Sequence, residues 1–221
     1  MGDSNTASVL SGEILGTATL RRIEESKVDT GRFQYQLYSM ILAFHFGEME
    51  EAASFEKAMR KNLYAEASEP PGLSTRVFYT VLVYLALFRQ SKRRKHKKKA
   101  LSSYKILERW VSKGATNCAY MKSILDAEWW SITPKKGVEM VLEQYDRAVE
   151  SATKMGHLHH EALACELAFN YLYKFPFIAK DKKIAYLKRS LACYEKWQGH
   201  AKVADLASRY KHFLEESKPI S

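Results

Sequence analysis

The sequence predicts an all-α protein, an α-solenoid of about eight or nine antiparallel helices arranged in irregular tetratricopeptide-like hairpins. Three observations carry that reading. Apolar residues recur at spacings of three and four along most of the chain, the signature of one buried helix face. Only 10 Gly and 5 Pro occur in 221 residues, too few for a turn-rich β protein, and no apolar/polar alternation of strand length is bounded by turn chemistry. Hydrophobic residues at 46% and charged residues at 27% match ordinary globular averages, with the good helix formers Ala, Leu, Lys and Glu plentiful.

Residues 1–28 are polar and small and read as a flexible or weakly helical N-terminal segment. Residues 29–217 read as a single helical-repeat domain and 218–221 as a tail. Phe33, Leu37, Met40, Ile41, Phe44 and His45 form the first apolar stripe. Gly47 interrupts it, and Met49, Ala52, Ala53, Phe55, Ala58, Met59 and Leu63 form the second, so the FGEME segment closes a helical hairpin. Glu69-Pro70-Pro71-Gly72 breaks the chain, because Pro disfavours helix at itself and at the residue before it. Ser74 is then the candidate cap of a helix running to about Gln90. Its apolar core, 77–88 (VFYTVLVYLALF), would span about 18 Å as a helix against the ~30 Å of a bilayer interior. It predicts a buried helix and no transmembrane segment.

The basic run that follows reads as a turn, with Ala100, Leu101, Tyr104, Leu107 and Val111 on the next helix and Lys113-Gly114-Ala115 ending it. Residues 120–130 form another helix, and Thr133-Pro134 is a break with helix-start chemistry. Helices over 138–155, 159–174, 180–198 and 201–216 complete the series, punctuated by Gly156 and by Phe175-Pro176. Helix pairs recur at roughly 35 to 45 residues. The repeat consensus is poorly met: where it wants small residues the chain places Lys183 and Ser190.

The net charge of +10 is local in origin. Lys92, Arg93, Arg94, Lys95, Lys97, Lys98 and Lys99 place seven positive charges within eight residues. Such a run reads first as a solvated turn; its sharper readings are nuclear localisation, phosphate contact and an acidic membrane patch. No aromatic residue interleaves it, so it offers no stacking platform for single strands. Cys118, Cys165 and Cys193 lie far apart with no C-x-x-C pair, and they read as buried free thiols of a reducing compartment. The N-terminus lacks the charged and apolar regions of a signal peptide. Its Met1-Gly2 followed by Thr6 formally matches a myristoylation start, which Asp3 disfavours.

His157, His159, His160, Glu161 and Cys165 invite a metal reading. Zinc needs three or four ligands converging on a point, while consecutive histidines on a helix diverge, so a polar helix start is the simpler account. Trp110, Trp129, Trp130 and Trp197 read as hairpin packing rather than as a ligand cage. No phosphate-binding G-x-x-x-x-G-K-[ST] loop, kinase H-R-D or D-F-G motif, or G-x-S-x-G elbow is present, and no catalytic residue, cofactor or metal site is expected.

Two signatures stand out near the C-terminus: G-x-L-H-x-E-A-L-A-x-E-L-A over 156–168 and C-Y-x-x-W-x-x-x-A-K-V-x-x-L over 193–206. With L-x-x-W-x-x-x-x-x-x-N (107–117), A-E-W-W (127–130) and Y-D-R-A-V-E-S-A (145–152), they resemble the helical segment of a multidomain signalling family. That family joins a Ser/Thr kinase-like domain, a STAND-type AAA ATPase, this segment, a GAF domain and often a histidine kinase. The resemblance covers most of the chain and rests on Trp110, Trp129, Trp130, Gly156, His159, Glu161, Glu166, Tyr194, Trp197 and Lys202 as structural signature residues. The chain departs from the family pattern at Ala119-Tyr120-Met121 and at Gln198-Gly199-His200.

The resemblance implies a non-enzymatic, cytoplasmic interaction or relay module. Its partners would be signalling kinase, ATPase or GAF domains, in cis or in trans. The alternative from the residues themselves is a binder of nucleic acid or another acidic surface through 92–99, with a nuclear location.

Overall fold

The computed structural model describes residues 29–62, 72–133 and 136–215. The N-terminal segment with its Met1-Gly2 start, the Glu69-Pro70-Pro71 break, Pro134 and the C-terminal tail lie outside the described residues. Within them the chain is all-α, ten α-helices and one short 3₁₀ turn with no strand, packed in neighbouring pairs. The helices are α1 (Asp29–His45), α2 (Met49–Asn62), α3 (Leu73–Ser91), α4 (Arg94–Ser112), α5 (Ala119–Trp130), α6 (Val138–Lys154), α7 (Leu158–Leu172), α8 (Lys180–Lys196), α9 (His200–Arg209) and α10 (Lys211–Glu215). Contacts group into two compact units, Met1–Arg109 and Trp110–Ser221.

In the first unit, the predicted stripe on α1 is the one that packs: Phe33, Leu37, Met40 and Phe44 are buried, together with Ala52 and Met59 of α2. Gly47, at φ 88, supplies the left-handed turn between them. The apolar segment of α3 is buried nearly all round, including Phe78, Val81, Leu82 and Leu85, and no described helix is long and apolar enough to cross a membrane.

Two local expectations fail here. The cap of α3 is Gly72 at φ 90, with no side-chain cap bond, not Ser74. A Cβ at Gly72 would lie 2.9 Å from Leu37 Cδ2, so close approach to α1 and the left-handed backbone both require glycine. The basic run is not a turn either. Only Lys92 and Arg93 separate α3 from α4, Lys92 turning the chain at φ 55 and donating its N–H to Phe88 O, and six residues of the run lie within α4.

In the second unit, α5 to α9 pack in chain order. The α7–α8 pair is antiparallel: His159 at the start of α7 stacks on Trp197 just beyond α8, and Lys183 early in α8 reaches the carbonyl just beyond α7. One core joins Ala127, Val141, Leu142, Tyr145, Ala168, Tyr171 and Leu172; a second joins Ala162, Cys193, Tyr194 and Leu206. The residues that break the repeat consensus are both buried and both bonded. Lys183 Nζ donates to Phe175 O at 2.7 Å, and Ser190 Oγ donates to Ala162 O at 2.9 Å. Burying a polar group without such a bond would cost about 1–3 kcal/mol. The final predicted helix is divided at Tyr210 into α9 and α10, and α6 starts at Val138 with Gly137 before it, four residues beyond Pro134.

Candidate functional site

The signature residues of the second unit converge on an internal framework. Glu166, 6% exposed, accepts hydrogen bonds from Tyr194 Oη (2.9 Å) and Lys202 Nζ (2.8 Å), tying α7 to α8 and α9. Lys202 is itself 5% exposed and lies 3.5 Å from Asp205. Glu161 binds Arg189 of α8 through Oε1, at 3.0 Å from Nε and 2.9 Å from an Nη, and Arg189 also donates to Thr153 of α6. Burial alone would raise the Glu161 pKa; bonds from Arg189, Thr153 and Cys193 outweigh it and hold the carboxyl below its ordinary value. Glu128, beside the A-E-W-W tryptophans, accepts from buried Tyr145 at 2.5 Å, while Asp126 pairs with Lys122 one turn earlier. Tyr186 bonds Asp146 across α6 and α8.

Gly156, at φ 71, turns the chain between α6 and α7. Trp129 and Trp130 are half-buried, Trp130 against the first core with Lys136 Nζ 3.8 Å over its ring. Trp110 is half-buried near the end of α4, where its carbonyl accepts the N–H groups of Lys113 and Ala115. Trp197 packs on the α7–α8 hairpin through Tyr194 and His159, yet half its surface stays open, with 49% exposed. The indole stacks on His159 at 5.2 Å between centroids and 27° between planes. A Cβ at Gly199 would sit 3.0 Å from the same indole, so a side chain there would crowd the ring. Burial, then the neighbouring His157, holds the His159 pKa below its ordinary value. His157 and His160 pack on Tyr120, and no group of three His, Cys, Asp or Glu among the described residues is placed to hold a metal ion.

The three cysteines are buried and unbridged, as the spacing predicts. Burial pushes the Cys165 thiol up to about 12, and burial with the Glu161 carboxylate pushes Cys193 up to about 11. Neither has the low pKa of a nucleophile.

The first unit holds a different arrangement. Glu56, fully buried on α2, accepts from Arg76 (3.1 Å) and Tyr84 Oη (3.2 Å) of α3 and pairs with Lys99 of α4 at 3.1 Å. Burial, then Glu56, pushes the Tyr84 phenol up to about 12, so it stays protonated. Lys99 therefore has a carboxylate partner, and Lys92, Arg93, Arg94, Lys95 and Lys98 around it are exposed. Lys92 and Lys97 lie 6.0 and 5.5 Å over the Phe88 ring, and His96 Nδ1 meets Ser91 Oγ at 3.0 Å.

Arg93, Lys95, His96 and Lys99 line a cleft of about 460 Å³ whose other walls carry Glu50, Lys57, Arg60 and Tyr84. Sequence reasoning missed Glu56, Lys57, Arg60 and Arg76. A signal for Glu56 was present: it sits between Ala52 and Met59 at helical spacing, a carboxylate on an apolar stripe. Lys57 and Arg60 look like ordinary exposed helix charges and carry no such signal.

No family model, curated protein or solved structure matches this chain.

Proposed function

We propose that the chain is a non-enzymatic helical-repeat module of the kinase–STAND ATPase–GAF signalling family, binding a protein domain rather than transforming a substrate. The observation that carries this reading is the use of the signature residues. Glu161, Glu166, Tyr194 and Lys202 bond one another or their neighbours across helices, so their ionisable groups hold the hairpins together instead of facing an open cavity. Of the four signature tryptophans, Trp197 is the exposed one, and it is stacked on His159. A half-exposed, pre-ordered tryptophan is the side chain most often found to anchor a protein interface, because it contributes large contact area with little rotamer entropy to lose.

The test is calorimetric titration of the chain with the isolated kinase-like, ATPase and GAF domains of a family member. One of them should bind, and Trp197→Ala should weaken that binding by about 2 kcal/mol, roughly thirtyfold, with helicity unchanged. Binding indifferent to Trp197, or ATP turnover by the chain alone, would remove the reading.

A further inference from the structure

We propose that the cleft of the first unit is a binding site for a compact polyphosphate: several phosphates on a small carrier, either free or as a lipid headgroup. The proposal is independent of the protein-docking reading, which concerns the second unit.

Five permanent cations, Lys57, Arg60, Arg93, Lys95 and Lys99, line the cleft with His96, against the single carboxylate of Glu50. They come from separate elements: Lys57 and Arg60 from α2, Arg93 from the α3–α4 turn, and Lys95 and Lys99 from the start of α4. Glu56 compensates Arg76 and Lys99 from beneath but does not line the cleft. The remaining charges repel across a volume of about 460 Å³, within the ordinary range of small-ligand pockets. A second cavity of about 300 Å³ shares Arg60 and Lys99 and adds Arg76, Ser102 and Ser103, extending the donor set.

The helix start adds to the mismatch. Arg94, Lys95, His96 and Lys97 form the first turn of α4, with no acidic residue there. The helix dipole favours anions at that end and disfavours cations, so α4 begins with the wrong charge unless an anion joins it. A singly charged anion would leave most of the cleft uncompensated. Several phosphates would answer both the Arg forks and the Lys point charges.

The cleft favours a compact ligand over a nucleic-acid strand. Its cations face one another across a concavity. The nearby rings already carry lysines, Tyr84 with Lys99 at 6.0 Å and Phe88 with Lys92 and Lys97, so a stacking base would compete with those contacts.

The experiment is calorimetric titration of the full chain with inositol hexakisphosphate at about 0.15 M salt. One ligand per chain should bind. Lys57→Gln with Arg60→Gln should weaken binding about tenfold or more, whereas Arg94→Gln with Lys98→Gln, the same charge removed outside the cleft, should weaken it less than about threefold. Lys57 and Arg60 are exposed, and Lys95→Gln serves as a second cleft variant if the pair lowers the melting temperature. Co-sedimentation with phosphatidylcholine vesicles carrying about 5% phosphatidylinositol bisphosphate separates the sources. Vesicle binding competed by the free ligand assigns a headgroup, and binding of the free ligand alone assigns a soluble one. Equal losses in the two pairs of variants, no loss in either, or displacement of the ligand by duplex RNA with both pairs equally impaired would overturn the proposal.

Discussion

Both units bury a glutamate and give it a tyrosine hydroxyl and a lysine, yet the two clamps differ in how closed they are. Around Glu166 everything is enclosed: the Lys202 side chain is 6% exposed and the glutamate 8%. Around Glu56 the carboxylate is fully buried, but its cations lead outward, Arg76 at 12% and Lys99 at 26%, and the second of these opens onto the basic cleft. The first design has one cation, Lys202, bonded to the carboxylate. The second has two cations, one of which can turn to a ligand while the other holds the carboxylate. A buried charge can therefore be a pure tether or the base of a site, and the number and exposure of its partners decide which.

The largest expected effect tests that contrast directly. Lys202→Met should cost about 3–5 kcal/mol in urea unfolding, because it leaves the Glu166 charge buried with a single neutral donor. Lys99→Met should cost less than about 1 kcal/mol, since Arg76 and Tyr84 remain on Glu56. Equal losses would erase the distinction between closed and open clamps.

The tyrosines sharpen it further. Tyr194→Phe removes a buried bond to a carboxylate and should cost about 2 kcal/mol; Tyr84→Phe, at a carboxylate with two cations, about 1 kcal/mol. All three cysteines lie in the second unit and are buried, so thiol reactivity reports on that unit alone. Native protein at pH 8 should react negligibly with a disulfide reagent, Cys165 carrying roughly a thousandfold less thiolate than a free cysteine. Lys202→Met should shift thiol exposure to lower urea, and Lys99→Met should not.

The smallest effect is at the exposed tryptophan. The folded His159 has its pKa below 6.5, so as pH falls through 6.5 the unfolded chain takes up the proton first and the folded state loses stability. Quenching of Trp197 fluorescence by protonated His159, isolated as the difference between the parent chain and Trp197→Phe, should therefore have a midpoint below 6.5. A midpoint at or above that value would remove the lowering of the His159 pKa by burial and by His157.

Much of the architecture is readable in the chain alone. The stripes Phe33, Leu37, Met40, Phe44 and Ala52, Met59 fall on the buried faces they predict, because a helix that must cover a core shows it as a three-and-four periodicity. Gly47 and Gly156 mark turns that need a left-handed residue. The wide cysteine spacing likewise predicts the free thiols that the structure shows. What it could not determine was which polar residues meet. Glu56, Arg76, Tyr84 and Lys99 come from three helices, and Lys57 and Arg60 become a cleft wall only when α4 starts six residues earlier than its apolar pattern suggests. Helical periodicity fixes a face by local spacing; partners at a distance in sequence are fixed by helix crossing and turn geometry, and only the tertiary structure supplies those.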